Sequence, residues 1–314
     1  MTAPAVSAVV VSYNCADLLR AALASLLAQE VAGGLEVVVV DNASTDGSAA
    51  AAREAGAEVV ALERNVGFAA ANNVGARRAR GELLLFANPD VEAPPGVVAA
   101  LGDFLAKNPG AVAAGPSLVG RDGRLQRFCA RKAPAALNLL FLVSGLEESR
   151  WAGSPLAHRY YPARYYERGP APAEALAGAF MLVRRAAFDG VGGFDEGYFL
   201  YGEDVDLCRR LREAGGEIWY VPAGPVRHYT GGSRRTPDPV VVVESHRSAV
   251  RYARRWHGDL AAAAVRAVSK VSLWGRRLLF AAAGPLGEGA RRRARFYADV
   301  LAEYRRRERV APAP

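Results

Sequence analysis

The feature that most restricts this chain is the rhythm of its first 115 residues. Short, continuous apolar runs recur there: Val6–Ser12, residues 35–40, Val59–Leu62, Leu83–Phe86 and Ala111–Ala114. Helical patterns separate them: the Leu18/Leu19/Ala22/Leu23/Leu26/Leu27 spacing, Gly47–Ala55, Gly67–Arg80 and Pro95–Lys107. A strand that is apolar at every position, not at alternate ones, is covered on both faces. Such strands alternating with helices of about 10–14 residues predict an α/β fold, a mostly parallel Rossmann-like sheet with helices on both faces.

In sheets of this kind ligands bind beyond the carboxyl ends of the strands. The first four ends read Ser12-Tyr13-Asn14, Asp41-Asn42-Ala43-Ser44-Thr45-Asp46-Gly47-Ser48, Arg64-Asn65-Val66-Gly67-Phe68 and Asn88-Pro89-Asp90. Asn and Asp favour turns, and Asp46 can cap the helix that follows it. Four such ends on one rim nevertheless point to a polar ligand site. A dinucleotide site needs G-x-G-x-x-G after the first strand, and residues 12–17 contain no glycine. A P-loop is absent too. The remaining route to a diphosphate is a divalent cation, Mg²⁺ or Mn²⁺, held by carboxylates, and Asp90 at the tip of the fourth strand is placed for it.

Farther along, residues 116–177 are irregular, with Pro134, Pro155, Pro162, Pro170 and Pro172 and an aromatic cluster at Trp151, Tyr160, Tyr161, Tyr165 and Tyr166. A strand is expected over 176–183. Glu203 and Asp204 then precede a helix whose Val205, Leu207, Cys208 and Leu211 fit one buried side. Acidic residues at a helix N-terminus interact favourably with its dipole, by about 0.3–1 kcal/mol each. That accounts for one carboxylate, not for three within four residues. Asp206 lies about 200° around the helix from Asp204 at about 3.6 residues per turn, which predicts a salt bridge or a support for the adjoining turn.

Taken in order, Val9–Asn14, Val40–Ser48, Asn65–Phe68 with Asn72-Asn73, Asn88–Val91, Gly178–Arg184, Gly192–Glu196 and Glu203–Leu207 resemble the motifs of a family 2 glycosyltransferase of GT-A fold, most closely its rhamnosyltransferase-like branch. The resemblance spans roughly residues 5–235. It implies inverting transfer of a sugar from a nucleoside-diphosphate sugar to an acceptor hydroxyl in cell-envelope glycan synthesis. L-rhamnose from dTDP-L-rhamnose is the expected donor, and a lipid-linked or polysaccharide hydroxyl the expected acceptor. By the same resemblance Ser12, Tyr13, Asn14, Asp41 and Asn42 line the nucleoside pocket, with Asn65, Gly67 and Asn73 beside it. Asn88-Pro89-Asp90 occupies the metal-binding D-x-D position with Asn in place of the first acid, and His228, in an H-x-x-G-x-S pattern, completes the metal shell. Asp204 matches the catalytic base, and Glu203 is its nearest competitor.

Charge divides the chain. Residues 236–314 hold 16 Arg/Lys and 7 Asp/Glu, a net of +9, whereas the whole chain carries +8. The expected organisation is a catalytic domain over 1–235, with a nucleotide-sugar half (1–115) and an acceptor half (116–235), followed by a basic amphipathic helical tail over 236–314. Asp259–Ala283 is apolar but broken by Arg266, Lys270, Arg276 and Arg277, each costly in a bilayer core, at about 2.5–3.5 kcal/mol. Two readings of the tail stand open: an interfacial helix on an anionic membrane surface, or a packed helical pair with its Arg residues outward. Nucleic acid is not an expected partner, because the charge sits in apolar helices and no readout motif appears.

Three scattered cysteines, Cys15, Cys129 and Cys208, fit a reducing compartment and argue against a Cys-based metal site. The first residues, Met1-Thr2-Ala3-Pro4, carry no basic n-region, so no Sec signal is expected. The chain is expected to be cytoplasmic and peripheral on the inner face of the cell membrane. The rival to an enzyme is a catalytically weak protein of the same fold that scaffolds a glycan-assembly complex. Asp90, Asp204 and His228 weigh against it, and Asn88 keeps it open.

Overall fold

The computed structural model describes residues 3–146, 160–229 and 238–309. Trp151 and Pro155 of the irregular stretch, and residues 230–233 of the motif that begins at His228, lie outside the described residues. The described residues form two compact units, one within 3–133, 160–196 and 203–229, the other within 134–146, 197–202 and 238–309.

The chain runs β1 (Val6–Ser12), α1 (Ala16–Leu27), β2 (Leu35–Asp41), α2 (Ser48–Glu54), β3 (Glu58–Ala61), α3 (Phe68–Arg78), β4 (Leu83–Ala87), β5 (Val91–Glu92), α4 (Val97–Lys107), β6 (Ala111–Gly115), β7 (Leu118–Val119) and β8 (Ala130–Arg131). It continues through α5 (Ala136–Ser144), α6 (Ala163–Glu167), β9 (Ala171–Pro172), β10 (Ala175–Leu176), β11 (Phe180–Arg184), α7 (Arg185–Gly190), α8 (Glu203–Glu213), β12 (Glu217–Tyr220), β13 (Val226–His228), α9 (Pro239–Ala282) and α10 (Glu288–Arg309).

In the first unit, eight strands make one sheet in the order β3-β2-β1-β4-β11-β6-β12-β9. The β3-β2-β1-β4 part is parallel throughout, as the apolar runs require. Val9, Val10, Val38, Val39, Leu84, Leu85 and Phe86 are wholly buried, as expected for strands covered on both faces.

The second half departs from a parallel pattern. β11 runs antiparallel to both β4 and β6, so the sheet is mixed. A parallel neighbour needs a crossover of a dozen or more residues, usually helical. β11 instead follows β10 through a turn in which the Phe180 N–H donates to Ala177 O at 3.4 Å. The strand expected over 176–183 is thus two: Ala175–Leu176 pairs with β8, and only Phe180–Arg184 enters the large sheet. The reversal also sets the start of β11 against the end of β4, where the Asn88 N–H donates to Ala179 O at 2.9 Å. A smaller sheet, β5-β13-β7, stands beside this rim.

The second unit is helical. α9 breaks at Gly258 (φ 85°, ψ 173°), and both of its halves contribute with α10 to one core of Val243, Leu273, Val300, Leu301 and Tyr304. Part of the basic excess is neutralised inside this unit. Arg307 pairs with Glu244 at 2.6 Å, Lys270 with Glu308 at 2.9 Å and Arg306 with Glu303 at 2.7 Å. Among the described residues no helix is long and apolar enough to cross a membrane.

α3 packs on the sheet through Gly75, where an added Cβ would sit well inside the van der Waals contact distance of Val9 Cγ1 and 3.1 Å from Val40 Cγ2. Overpacking of this kind costs about 1–3 kcal/mol. Gly75→Val is expected to lower the urea midpoint accordingly. An unchanged midpoint would show that α3 does not lie this close to β1.

Candidate active site

The rim at the ends of β1, β2 and the loop before α3 is a hydrogen-bonded frame. Ser12 and Asp41 are buried, with Ser12 Oγ donating to Asp41 Oδ1 at 3.3 Å. The other Asp41 oxygen accepts the Ser44 N–H at 3.1 Å. Asn42 Nδ2 donates to Asn65 Oδ1 at 3.0 Å and Gly67 O at 3.3 Å, while its Oδ1 accepts the Val66 N–H at 2.9 Å. Asn14 sits at φ 50°, a conformation Asn tolerates better than most residues, and accepts the Thr45 N–H at 2.7 Å. Tyr13 projects from this frame, 43% exposed. Ser12, Tyr13, Asn14, Asp41, Asn42, Asn65 and Gly67 therefore belong to one neighbourhood.

Asp46 sits one residue before the α2 N-cap, Gly47, and ties two helix starts together. Its Oδ1 accepts the Ser48 N–H at 3.0 Å, and its Oδ2 accepts the Ala16 N–H at 3.0 Å, at the start of α1. Asn73 is spent elsewhere. Its carboxamide donates to Phe194 O at 2.9 Å and Glu196 Oε1 at 3.0 Å and accepts the Phe194 N–H at 2.9 Å. That gives it the task of tying α3 to the 194–196 turn, away from the frame around Asn42.

A second cluster forms where β5 pairs antiparallel with β13, His228 facing Val91 across the ladder. Asp90 and His228 are both buried, with His228 Nε2 3.4 Å from Asp90 Oδ1. The Asn88 carboxamide nitrogen is also 3.4 Å from that ring nitrogen. On the far side of the ring, Gln126 Oε1 lies 2.9 Å from Nδ1. Among the described residues no group of three His, Cys, Asp or Glu side chains forms a metal cage; the donor set is this Asp–His pair. A carboxylate oxygen and an imidazole nitrogen suit a divalent ion of the Mn²⁺ type. The two atoms stand 3.4 Å apart, close enough for both to serve one ion.

The third cluster lies at the N-terminus of α8, where Glu203, Asp204 and Asp206 are all buried. Asp204 Oδ2 accepts from Arg131 Nη2 at 2.8 Å and from the Gly178 N–H at 3.1 Å. A Cβ on Gly178 would lie 3.3 Å from Asp204 Cβ, so glycine permits that approach. Asp206 pairs with Arg210 at 2.7 Å, and Arg210 Nη1 donates to Val191 O at 2.8 Å and Gly193 O at 2.7 Å. Asp206 thus makes the salt bridge foreseen for it, and it is Arg210 that braces the 191–193 turn. Glu203 differs from both neighbours. Its Oε2 is buried with no hydrogen-bond partner, and burial, reinforced by the charge of Asp204, pushes its carboxyl up to about 8. Asp204, not Glu203, makes the ion pair with Arg131, so the two adjacent carboxyl groups stand in unlike surroundings.

Arg131 and Gln126 escaped the sequence reading. Both stand in the irregular stretch after β7, where no periodicity or motif marks single polar residues. All three cysteines are free and buried, and burial pushes their thiols up, to about 11 for Cys15 and Cys129 and about 12 for Cys208. They are unreactive packing residues.

The sheet order and the rim at the ends of β1, β2 and β4 define an α/β transferase fold of the GT-A type. The chain matches the family described as Glycosyl transferase family 2 over residues 7–191, and that described as N-terminal domain of galactosyltransferase over residues 159–231. It is 35% identical over 257 residues to N-acetylglucosaminyl-diphospho-decaprenol L-rhamnosyltransferase of Mycobacterium tuberculosis, across 76% of this chain and 80% of that protein. Over 60 residues, 19% of this chain and 23% of the relative, it is 53% identical to Rhamnosyltransferase WbbL of Escherichia coli. Among solved structures it is similar to mannosyltransferase PcManGT from Pyrobaculum calidifontis in complex with GDP-Man and Mn²⁺, with a TM-score of 0.57 and 18% identity over 96% of this chain and 86% of that one. The chain belongs to glycosyl transferase family 2 and is a glycosyltransferase.

Because the Glu203 carboxyl is raised from 4.5 to about 8, the folded state holds its proton more tightly than the unfolded chain. Its contribution to stability is full below about pH 4.5 and is lost as pH rises through about 8. Urea midpoints of the wild type are expected to fall, relative to Glu203→Gln, between pH 5 and pH 8.5. Parallel midpoint curves for the two proteins would contradict the assignment.

Proposed function

We propose that this glycosyltransferase moves L-rhamnose from dTDP-L-rhamnose, with inversion, to a hydroxyl of a lipid-linked or polysaccharide acceptor. The observation that carries the reading is the convergence, in one unit, of the Ser12–Asp41 frame, the Asp90–His228 pair and the buried Glu203-Asp204 couple. The rhamnosyltransferase relatives support the choice of sugar and of an envelope acceptor.

Ser12, Tyr13, Asn14, Asp41 and Asn42 hold the nucleoside, with Asn65 and Gly67 bracing Asn42. Asp90 and His228, with Asn88 beside them, hold Mg²⁺ or Mn²⁺. When bound, the cation neutralises the charge that develops on the departing diphosphate. Asp204 is the general base: it takes the proton of the acceptor hydroxyl as that oxygen bonds to the anomeric carbon and the nucleoside diphosphate leaves from the opposite face. Arg131 and the Gly178 N–H fix the carboxylate in place. Glu203, whose carboxyl burial pushes up, stands beside Asp204 at the start of the same helix.

The enzyme works at the inner face of the membrane, where the second unit meets anionic lipid. Beyond Gly258, Leu260, Val271, Trp274 and Leu278 recur at helical spacing and all face outward, Leu260 at 87% exposure. Arg266 and Arg277 flank that stripe on one side, the pattern of an interfacial helix, while Lys270 on the same side is paired with Glu308.

Asp204→Asn is expected to lower kcat by 10²–10⁴-fold, the usual span for a general base, with donor binding retained. More than about a tenth of wild-type kcat in the variant would rule Asp204 out as base. Turnover should stop in excess EDTA, and Asp90→Ala or His228→Ala should raise the Mn²⁺ concentration required; undiminished activity in EDTA would overturn the metal reading. A screen of nucleotide sugars by nucleotide release is expected to favour the deoxythymidine-linked donor, and turnover with UDP-sugars alone would remove rhamnose from the account. In co-sedimentation with vesicles containing acidic lipid, the double variant Leu260→Glu, Leu278→Glu should bind less than wild type, and added salt should weaken the wild type. Equal binding of both proteins would leave the stripe without a role at the membrane.

A further inference from the structure

The segment between β7 and β8 carries no motif, yet its Gln126 makes two contacts to a single residue. Gln126 Nε2 donates to the backbone oxygen of His228 at 3.0 Å, and Gln126 Oε1 lies 2.9 Å from His228 Nδ1. A backbone carbonyl can only accept. The end of the carboxamide that faces it must therefore be the NH₂ group, and the end that faces the ring must be the oxygen. That oxygen also only accepts, so Nδ1 must carry a hydrogen, and in the neutral ring Nε2 then holds the lone pair. The usual ambiguity of amide orientation and histidine tautomer is resolved here by main-chain chemistry.

We infer that Gln126 is a positioning residue that fixes His228 as its Nδ1–H tautomer and thereby turns the lone pair of Nε2 toward Asp90. One of the two further contacts to Nε2 agrees with this directly, and the other does so once a cation is bound. The Asn88 carboxamide nitrogen, a donor, stands 3.4 Å from Nε2. Asp90 Oδ1, an acceptor, stands at the same distance. A lone pair and a carboxylate facing each other repel unless a cation lies between them, and a partner on Nδ1–H is the second-sphere arrangement that orients metal-binding histidines.

Gln126 is itself held rigidly. Its N–H donates to Leu118 O at 2.8 Å, and its carbonyl accepts the Cys129 N–H at 2.9 Å. Leu118 is in β7, which pairs with β13 at Val226. The small sheet that carries His228 thus also anchors the loop that carries its partner. Phe128 closes the ring from the side, edge-on at 5.8 Å.

The consequence for metal binding rests on the function proposed above, and the tautomer does not, which allows the two to be tested apart. In metal-free, ¹⁵N-labelled full-length protein at pH 8, long-range ¹H–¹⁵N correlation should show His228 with a protonated Nδ1 and a bare Nε2. Gln126→Leu removes the acceptor and should shift the ring toward the Nε2–H form. Gln126→Glu keeps an acceptor at that place and should retain the wild-type tautomer. Mn²⁺ affinity in the presence of dTDP, followed by the loss of the free-ion EPR signal, should fall 10–100-fold in Gln126→Leu and stay within about threefold of wild type in Gln126→Glu. An Nε2–H ring in the wild type overturns the inference outright, as does an unchanged tautomer in Gln126→Leu. Equal Mn²⁺ affinity in wild type and Gln126→Leu also overturns it as a positioning role. If the wild type shows the Nδ1–H ring but binds no Mn²⁺, the tautomer assignment stands and the metal reading falls.

Discussion

The two-residue strand that follows Asp90 pairs antiparallel with the strand that ends at His228, and the rest of the site depends on that ladder. Neither residue is near the other in sequence, and β4 alone would leave Asp90 at the tip of a strand with only turn geometry to hold it. The ladder fixes both backbones, with the Tyr229 N–H donating to Asp90 O at 2.9 Å. Asp90 and His228 are thereby held face to face, both side chains buried.

The large sheet supplies the remaining constraint. Because β11 enters antiparallel beside β4, Gly178 arrives at the same rim as Asn88, and its N–H reaches Asp204. The carboxylate couple at the start of α8 is thus held by a turn, by Arg131 and by the helix N-terminus, whose dipole favours negative charge. Burying two carboxyl groups side by side has a cost: on Asp204 the Arg131 guanidinium offsets it, and on Glu203 it raises the carboxyl.

Much of this was legible in the residues alone. Continuous β-branched runs can only be strands covered on both faces, so β1, β2, β3 and β4 and their polar ends followed from composition and spacing. The acidic start of α8 was equally plain, and Asp206 was placed on the far side by helical period. What could not be read were contacts that depend on long-range topology. Nothing around residues 177–180 announces that β11 reverses, because the run is apolar whichever way it points. Gln126 and Arg131 are single polar residues in an aperiodic stretch, and only the ladder and the turn bring them to His228 and Asp204. Asn73 shows the converse. It carries a motif's signature, yet its carboxamide is consumed by the 194–196 turn.

The central claim is that the rim binds a nucleoside diphosphate through a cation seated between Asp90 and His228. Anomalous diffraction at the manganese edge, from crystals of the full chain grown with dTDP and Mn²⁺, tests it most directly. The account predicts one strong anomalous peak within bonding distance of both Asp90 Oδ1 and His228 Nε2, with the diphosphate on its open side. A nucleotide bound at the rim with no peak there, or a peak bound by other residues, would contradict it.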